Sequence, residues 1–284
     1  MKEKCLIVDG NNLLYSSYHV AQKMSWQITN GTIFFSLRVL ISILKKGNYH
    51  KLLIVFDGGG TNWRENLLPQ YKAHRLGMPQ ELWEQLETLK KLLEKTGIIY
   101  IQLVNHEADD IIASFINQNH NTDFFDIFTR DKDLLQLISQ EVNILKYING
   151  KITLYTYASF RQEYNFLPNS YVDYLSLLGD NVDNISGIRG IGPVNAKNLI
   201  QKFGTVENIY QKIDNLPESS KKLLENNEEI VYRNKKIISL EKNISLPTEI
   251  REKYYFNWEN WKKNEEFRKF CADNKFISIL KLLN

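Results

Sequence analysis

Cysteine is nearly absent from this chain of 284 residues: there are two, Cys5 and Cys271, at opposite ends. Thiols so far apart have no zinc-ligand spacing and form no disulfide framework, so both read as free thiols of a reducing compartment. No stretch approaches the ~18 uninterrupted apolar residues of a membrane span. The first apolar run, residues 5–8, is short and stops at Asp9, unlike a secretory leader. A cytoplasmic protein is expected. Internal repeats and low-complexity linkers are missing too, which argues against solenoids and disordered arms. Neither sign of charge dominates, with 36 Lys and Arg against 33 Asp and Glu. That balance does not by itself announce a polyanion as partner. The content of 43% hydrophobic and 24% charged residues is that of an ordinary globular protein, long enough for a large core and a smaller second module.

What is present is a regular alternation. Apolar runs at 4–8, 52–56, 98–104 and 124–129 read as buried strands, and 141–147 and 151–155 as edge strands. Helical patterns occupy 11–21, 33–46, 79–96 and 107–118, with a short one at 131–138. Pro79 opens the third of these helices and Gly97 closes it. Strands alternating with helices predict βαβ units and a parallel sheet. From residue 156 the pattern turns helical to about residue 240, with no convincing strand. The expected division is therefore 1–155 as an α/β domain and 156–284 as a helical subdomain with an aromatic and lysine-rich tail.

Acids gather at the joints of this pattern. Asp9, Asp57, Glu107, Asp109, Asp110, Asp131 and Asp133 follow the first four apolar runs directly or within a few residues. In an open parallel sheet, ligands bind at the carboxyl ends of the strands. Each acid alone suits a helix N-terminus. Four acidic strand ends together point to a site for hard divalent cations, Mg²⁺ or Mn²⁺. Two such ions are a common apparatus for cutting phosphodiesters. If the acids are gathered in one pocket, the remaining surface is more basic than the net charge of +3 implies. Asp180 and Asp183 lie in Gly179-Asp180-Asn181-Val182-Asp183-Asn184, which by itself reads as a polar turn. Trp63, Arg64, Tyr71, Lys72, His74 and Arg75 mix cations with rings, as single-strand binders do. Gly190, Ile191 and Gly192 precede a helix at 193–203, where Lys197 and Lys202 add charge and exposed backbone N–H groups suit phosphate. The glycine spacing and the lack of a preceding strand reject a dinucleotide fingerprint.

Taken in order, these segments resemble the 5′-nuclease domain of bacterial DNA polymerase I and its stand-alone relatives, the flap-endonuclease-like 5′–3′ exonucleases. The matching stretches are Val8-Asp9-Gly10, Phe56-Asp57, Trp63-Arg64 and Tyr71-Lys72-Ala73-His74-Arg75. They continue with Glu107-Ala108-Asp109-Asp110, Thr129-Arg130-Asp131-Lys132-Asp133-Leu134, the turn at Gly179–Asn184, Gly190-Ile191-Gly192 and the tail Phe276-Ile277-Ser278-Ile279-Leu280. The resemblance implies a PIN-like (resolvase-like) sheet and a helix–three-turn–helix at about 175–203. It implies one metal cluster from Asp9, Asp57, Glu107, Asp109 and Asp110, and a second from Asp131, Asp133, Asp180 and Asp183. It also implies an arch at about 58–79. In that arch Lys72 and Arg75 meet the scissile phosphate, Arg64 grips phosphate, and Tyr71 stacks on the terminal nucleotide.

Tyr15, Gly190, Gly192 and Lys197 are the further substrate-binding residues implied, with K⁺ held by the loop carbonyls. The implied substrate is DNA with a 5′ flap, nick or free 5′ end, or an RNA primer paired to DNA. The implied setting is a free-standing monomer near the nucleoid, acting beside a polymerase and a ligase. One position departs from the family: Ser16 follows Tyr15 where an Arg is usual. A PIN-like ribonuclease would not need Asp180 and Asp183. A non-catalytic binder of branched DNA would be expected to have lost some of the nine acids.

Overall fold

The side chains of the first strand decide the layering. In β1 (Glu3–Asp9), Cys5 and Ile7 face one hydrophobic core while Leu6 and Val8 face another. The period of two puts alternate residues on opposite faces, and both faces are covered, so the strand reads as an unbroken apolar run. β2 (Lys51–Asp57), β3 (Ile99–Leu103), β4 (Asp123–Phe128), β5 (Val142–Ile148) and β6 (Lys151–Tyr155) complete a sheet of order β3-β2-β1-β4-β5-β6. All pairings are parallel except that of β5 with β6. The computed structural model describes residues 2–24, 30–148, 150–248 and 250–284.

Helices α1 (Gly10–Gln22), α2 (Gly31–Gly47) and α4 (Gln80–Thr96) cover the Leu6 face. The short α3 (Trp63–Leu67) and α5 (Ala108–Asn119) lie on the Cys5 side. Gly97 closes α4 in the left-handed region, φ 71°, as its position after the helix predicts. The helical half follows. It comprises α6 (Tyr157–Tyr164), α7 (Tyr171–Leu178), α8 (Pro193–Phe203), α9 (Val206–Gln211), α10 (Glu218–Glu225) and α11 (Glu228–Ile238). Its apolar residues merge with the α5 core.

Three features differ from the sequence reading. Residues 131–138 form a single 3₁₀ turn, Asp133–Leu137, because the segment is too short for a stable α-helix. The helical half contains a two-stranded ribbon, β7 (Gly179–Asp180) with β8 (Ile185–Ser186), too small to leave a periodic signal. The tail divides: Ile250 of α12 (Ile250–Lys253) stays in the core shared with the helical half, whereas α13 (Trp258–Trp261), α14 (Glu265–Asp273) and α15 (Ile277–Leu283) do not join it. Trp261, Phe267, Cys271, Phe276 and Ile279 pack into the core of α2 and α4, across the sheet from the helical half. An apolar stripe on a helix reveals that it is covered but not by what.

Candidate active site and metal centre

The register of the sheet brings β3, β2, β1 and β4 side by side in that order, so the acids after them converge. A cleft of about 420 Å³ opens at their carboxyl ends. Asp9, Asp57, Glu107, Asp109 and Asp131 line it from the sheet, and Asp180 and Asp183 from the ribbon of the helical half. Gly179 makes the ribbon possible: its φ is 73°, and a Cβ there would stand 2.3 Å from the backbone nitrogen of Gly187. Gly10 has a similar duty, since a Cβ would meet the Phe56 ring at 2.3 Å.

Asp9 caps α1 by accepting from the Asn12 N–H at 3.0 Å, and its other oxygen accepts from Thr129 Oγ1 at 2.8 Å. Burial, with Asp57 and Asp131 nearby, pushes its carboxyl up to about 7. Asp57, whose residue surface is exposed at the end of β2, accepts from the Ala108 N–H at 2.8 Å, and desolvation of its carboxyl by the surrounding protein raises it. Asp109 is raised well above the usual carboxylate range by burial and by the charges of Asp131 and Asp9. Glu107 goes the other way: burial alone would raise it, but Lys72 and Arg64 outweigh that and hold it low. Too many carboxylates share too little water, and hard cations relieve this.

A second group makes the need for cations sharper. Carboxylate oxygens of Asp133, Asp180 and Asp183 all lie within 4.8 Å of one another. Asp133 is 9% exposed, and its Oδ1 has no hydrogen-bond partner. Burial and the charges of Asp131, Asp183 and Asp180 raise its carboxyl strongly. An all-oxygen donor set with one buried oxygen left unpartnered fits a divalent cation such as Mg²⁺ or Mn²⁺.

Protein cations sit over the same acids. Lys72 Nζ lies 2.5 Å from Glu107 Oε1 and 3.8 Å from Asp183, Arg75 pairs with Asp183, and Lys132 Nζ lies 3.0 Å from Asp180 Oδ1. Lys72 holds φ 53°, a left-handed conformation rare for a side-chain-bearing residue, and its N–H donates to the Asp183 carbonyl at 3.0 Å. Asn184 Nδ2 donates to the Gln70 carbonyl at 2.8 Å. The segment expected as an arch is thus tied down at Gln70 and Lys72 onto the ribbon.

Three expectations need correction. Asp110 does not face the cleft. It is 1% exposed, takes both guanidinium nitrogens of Arg64 at 2.6 and 2.7 Å, and accepts the Glu241 N–H at 2.8 Å. Both of its oxygens are engaged by Arg64, and it is not among the residues lining the cleft. Arg64, expected on phosphate, is 2% exposed and donates through Nε to the Ile237 carbonyl at 2.7 Å. It bolts α5 to the end of α11. Tyr71, expected to stack on a nucleotide, is buried, and its hydroxyl donates to Glu107 Oε2 at 3.1 Å, with Asp183 Oδ2 at 3.3 Å. An aromatic among cations has the same sequence pattern whether its ring is wet or buried.

The other substrate-binding candidates are scattered. Tyr15 lines the cleft, and Ser16 follows it on α1. Gly190, with φ 100°, and Gly192 are exposed at the turn before α8. Lys197 Nζ donates to the Glu163 carbonyl at 2.6 Å, near the end of α6. Sequence reasoning assigned no role to Asn11, Thr129, Arg130 or Lys132. Asn11 Oδ1 accepts the Asp57 N–H at 3.0 Å, Thr129 orients Asp9, and Arg130 and Lys132 line the cleft. Their only signal is adjacency to acidic motifs.

Comparison with known proteins agrees with this architecture. Residues 4–165 match the N-terminal resolvase-like domain of 5′-3′ exonucleases, and residues 166–264 match their C-terminal SAM fold. A 5′-3′ exonuclease of Mycoplasmopsis pulmonis is 35% identical over 219 residues, 77% of this chain and 73% of that protein. A DNA polymerase I of Caldicellulosiruptor bescii is 29% identical over 99% of this chain and 33% of its own length. A bacteriophage T5 flap endonuclease, solved as a pseudo-enzyme-product complex with DNA and metal ions, aligns with a TM-score of 0.69 at 21% identity, covering 99% of both chains. With a resolvase-like sheet, a SAM-fold helical half and relatives of this identity, the chain belongs to the 5′-3′ exonuclease family.

Proposed function

We propose that this 5′-3′ exonuclease is a metal-dependent, structure-specific nuclease that also releases 5′ flaps, cutting DNA where single strand meets duplex during primer removal and repair. The observation that carries this is the single cleft in which acids from the sheet and from the helical half meet beneath Lys72, Arg75 and Lys132. Asp9, Asp57, Glu107 and Asp109 would hold one divalent ion, and Asp131, Asp133, Asp180 and Asp183 a second. Such ions supply hydroxide near neutral pH and stabilise the leaving 3′ oxygen.

The chain's own residues do the rest. Lys72 and Arg75 stand between the acid clusters and would draw the scissile phosphate in, exchanging carboxylate partners for phosphate oxygens. The strained backbone at Lys72 keeps that ammonium at the cleft. Tyr71 holds Glu107 and Asp183 in place from below. The turn with Gly190 and Gly192 at the start of α8 would rest on the duplex backbone, which positions DNA without reading its sequence.

The test is a 5′-labelled flap duplex, a nicked duplex and a blunt duplex incubated with Mg²⁺ or with EDTA. Flap release at the junction and short products from the nick, both only with Mg²⁺, are expected. Absence of flap products alongside degradation of free 5′ ends would overturn flap cutting. Metal-independent cleavage would overturn the metal role.

A further inference from the structure

We propose that Lys132 is a displaceable counter-ion. It holds Asp180 while no divalent cation is bound, leaves when one takes that carboxylate, and is thereby delivered to the substrate phosphate. The proposal rests on the metal-dependent reading above and goes beyond it, because it assigns Lys132 a role in loading.

The geometry is specific. Lys132 Nζ lies 3.0 Å from Asp180 Oδ1, and the Asp180 side chain is 4% exposed while that of Lys132 is 42% exposed. Asp180 is also held by the Val182 N–H at 2.8 Å, so it keeps its place when the lysine goes. Its neighbours in the cluster differ in partner. Asp183 is paired with Arg75, whereas Asp133 Oδ1 is buried and unpartnered. An arriving cation therefore finds an unpartnered oxygen on Asp133, and on Asp180 a carboxylate whose Oδ1 already holds an ammonium and the Val182 N–H, so binding through that carboxylate sets it against the lysine's charge. Two cations held by one nearly buried carboxylate, an ammonium on Oδ1 and a divalent ion beside it, repel each other within a few ångströms. The half-exposed lysine is the one able to move, since its flexible stem and strongly hydrated head reach water from where it stands. Both Lys132 and Arg130 line the cleft, so the freed ammonium remains where phosphate would lie.

Manganese titration calorimetry on the whole chain without DNA tests this. Lys132→Met removes the competitor, so the weaker class of Mn²⁺ site should tighten roughly fivefold, the effect of removing one partly exposed ion pair. Lys132→Arg keeps a competing cation and should leave that affinity near the wild-type value. With Ca²⁺ in place of Mn²⁺, the salt dependence of flap-duplex binding should flatten by about one ion in Lys132→Met. Unchanged or weaker Mn²⁺ binding in Lys132→Met would overturn the proposal, as would an unchanged salt slope. The functional reading fails separately, through lack of metal-dependent flap cleavage by the wild type.

Discussion

Arg64 and Asp110 take opposite charges into the interior, where each satisfies the other and two backbone segments besides. Removing one partner leaves a buried charge alone, so Asp110→Ala should lower unfolding stability by about 3–5 kcal/mol. Asp133→Asn should do the reverse without metal, because it deletes a buried carboxylate crowded by Asp131, Asp183 and Asp180. Urea denaturation in EDTA separates the two, and equal destabilisation by both would contradict the division between clamp and ligand. This division was not legible beforehand. Glu107, Asp109 and Asp110 look alike in sequence, and the partner that removes Asp110 from the cleft lies 46 residues away. Tyr71 was misread for the same reason, since its contacts come from Glu107 and Asp183.

Among elements, strands and their ends were the most readable features. Buried parallel strands are short apolar runs, and each run here ends beside an acid. The ribbon β7–β8 was invisible, since two residues per strand carry no period, yet it brings Asp180 and Asp183 to the sheet. Bringing these ends together has a consequence for pH. The Asp9 carboxyl rises from its ordinary 3.8 to about 7 on folding, so the folded chain binds that proton more tightly than the unfolded chain. Its contribution to stability is full below pH 4 and is lost as pH climbs through 7. Asp109 and Asp133 are raised too and act in the same direction. Glu107, held low, contributes in the opposite sense: its stabilisation is full above its ordinary value of 4.5 and is lost only as pH falls below it. Melting temperature in EDTA should therefore fall between pH 5 and pH 8, and Mg²⁺ should remove most of that fall. A metal-free melting temperature that rises across the same window would contradict the crowded-carboxylate account.

At the scale of the whole molecule, the sheet is a partition with the helical half on one side and α13–α15 of the tail on the other. Phe276 is 1% exposed and meets Phe34 edge-on at 5.2 Å, far in sequence from anything it packs on among α2 residues. Phe276→Ala should cost about 3–5 kcal/mol in stability while leaving the Mn²⁺ affinity of the folded protein intact, which melting curves and titrations read independently. The strand and helix pattern located the two halves, the resemblance implied that acids of both share a site, and the structure lines one cleft with acids from each. That shared cleft is the central claim, and counting metal ions tests it most directly. Calorimetric titration with Mn²⁺ should find two ions on the wild-type chain and one on Asp180→Asn, whose lost ligand belongs to the helical half. Retention of both ions at unchanged affinity in Asp180→Asn, or a single ion on the wild type, would contradict it.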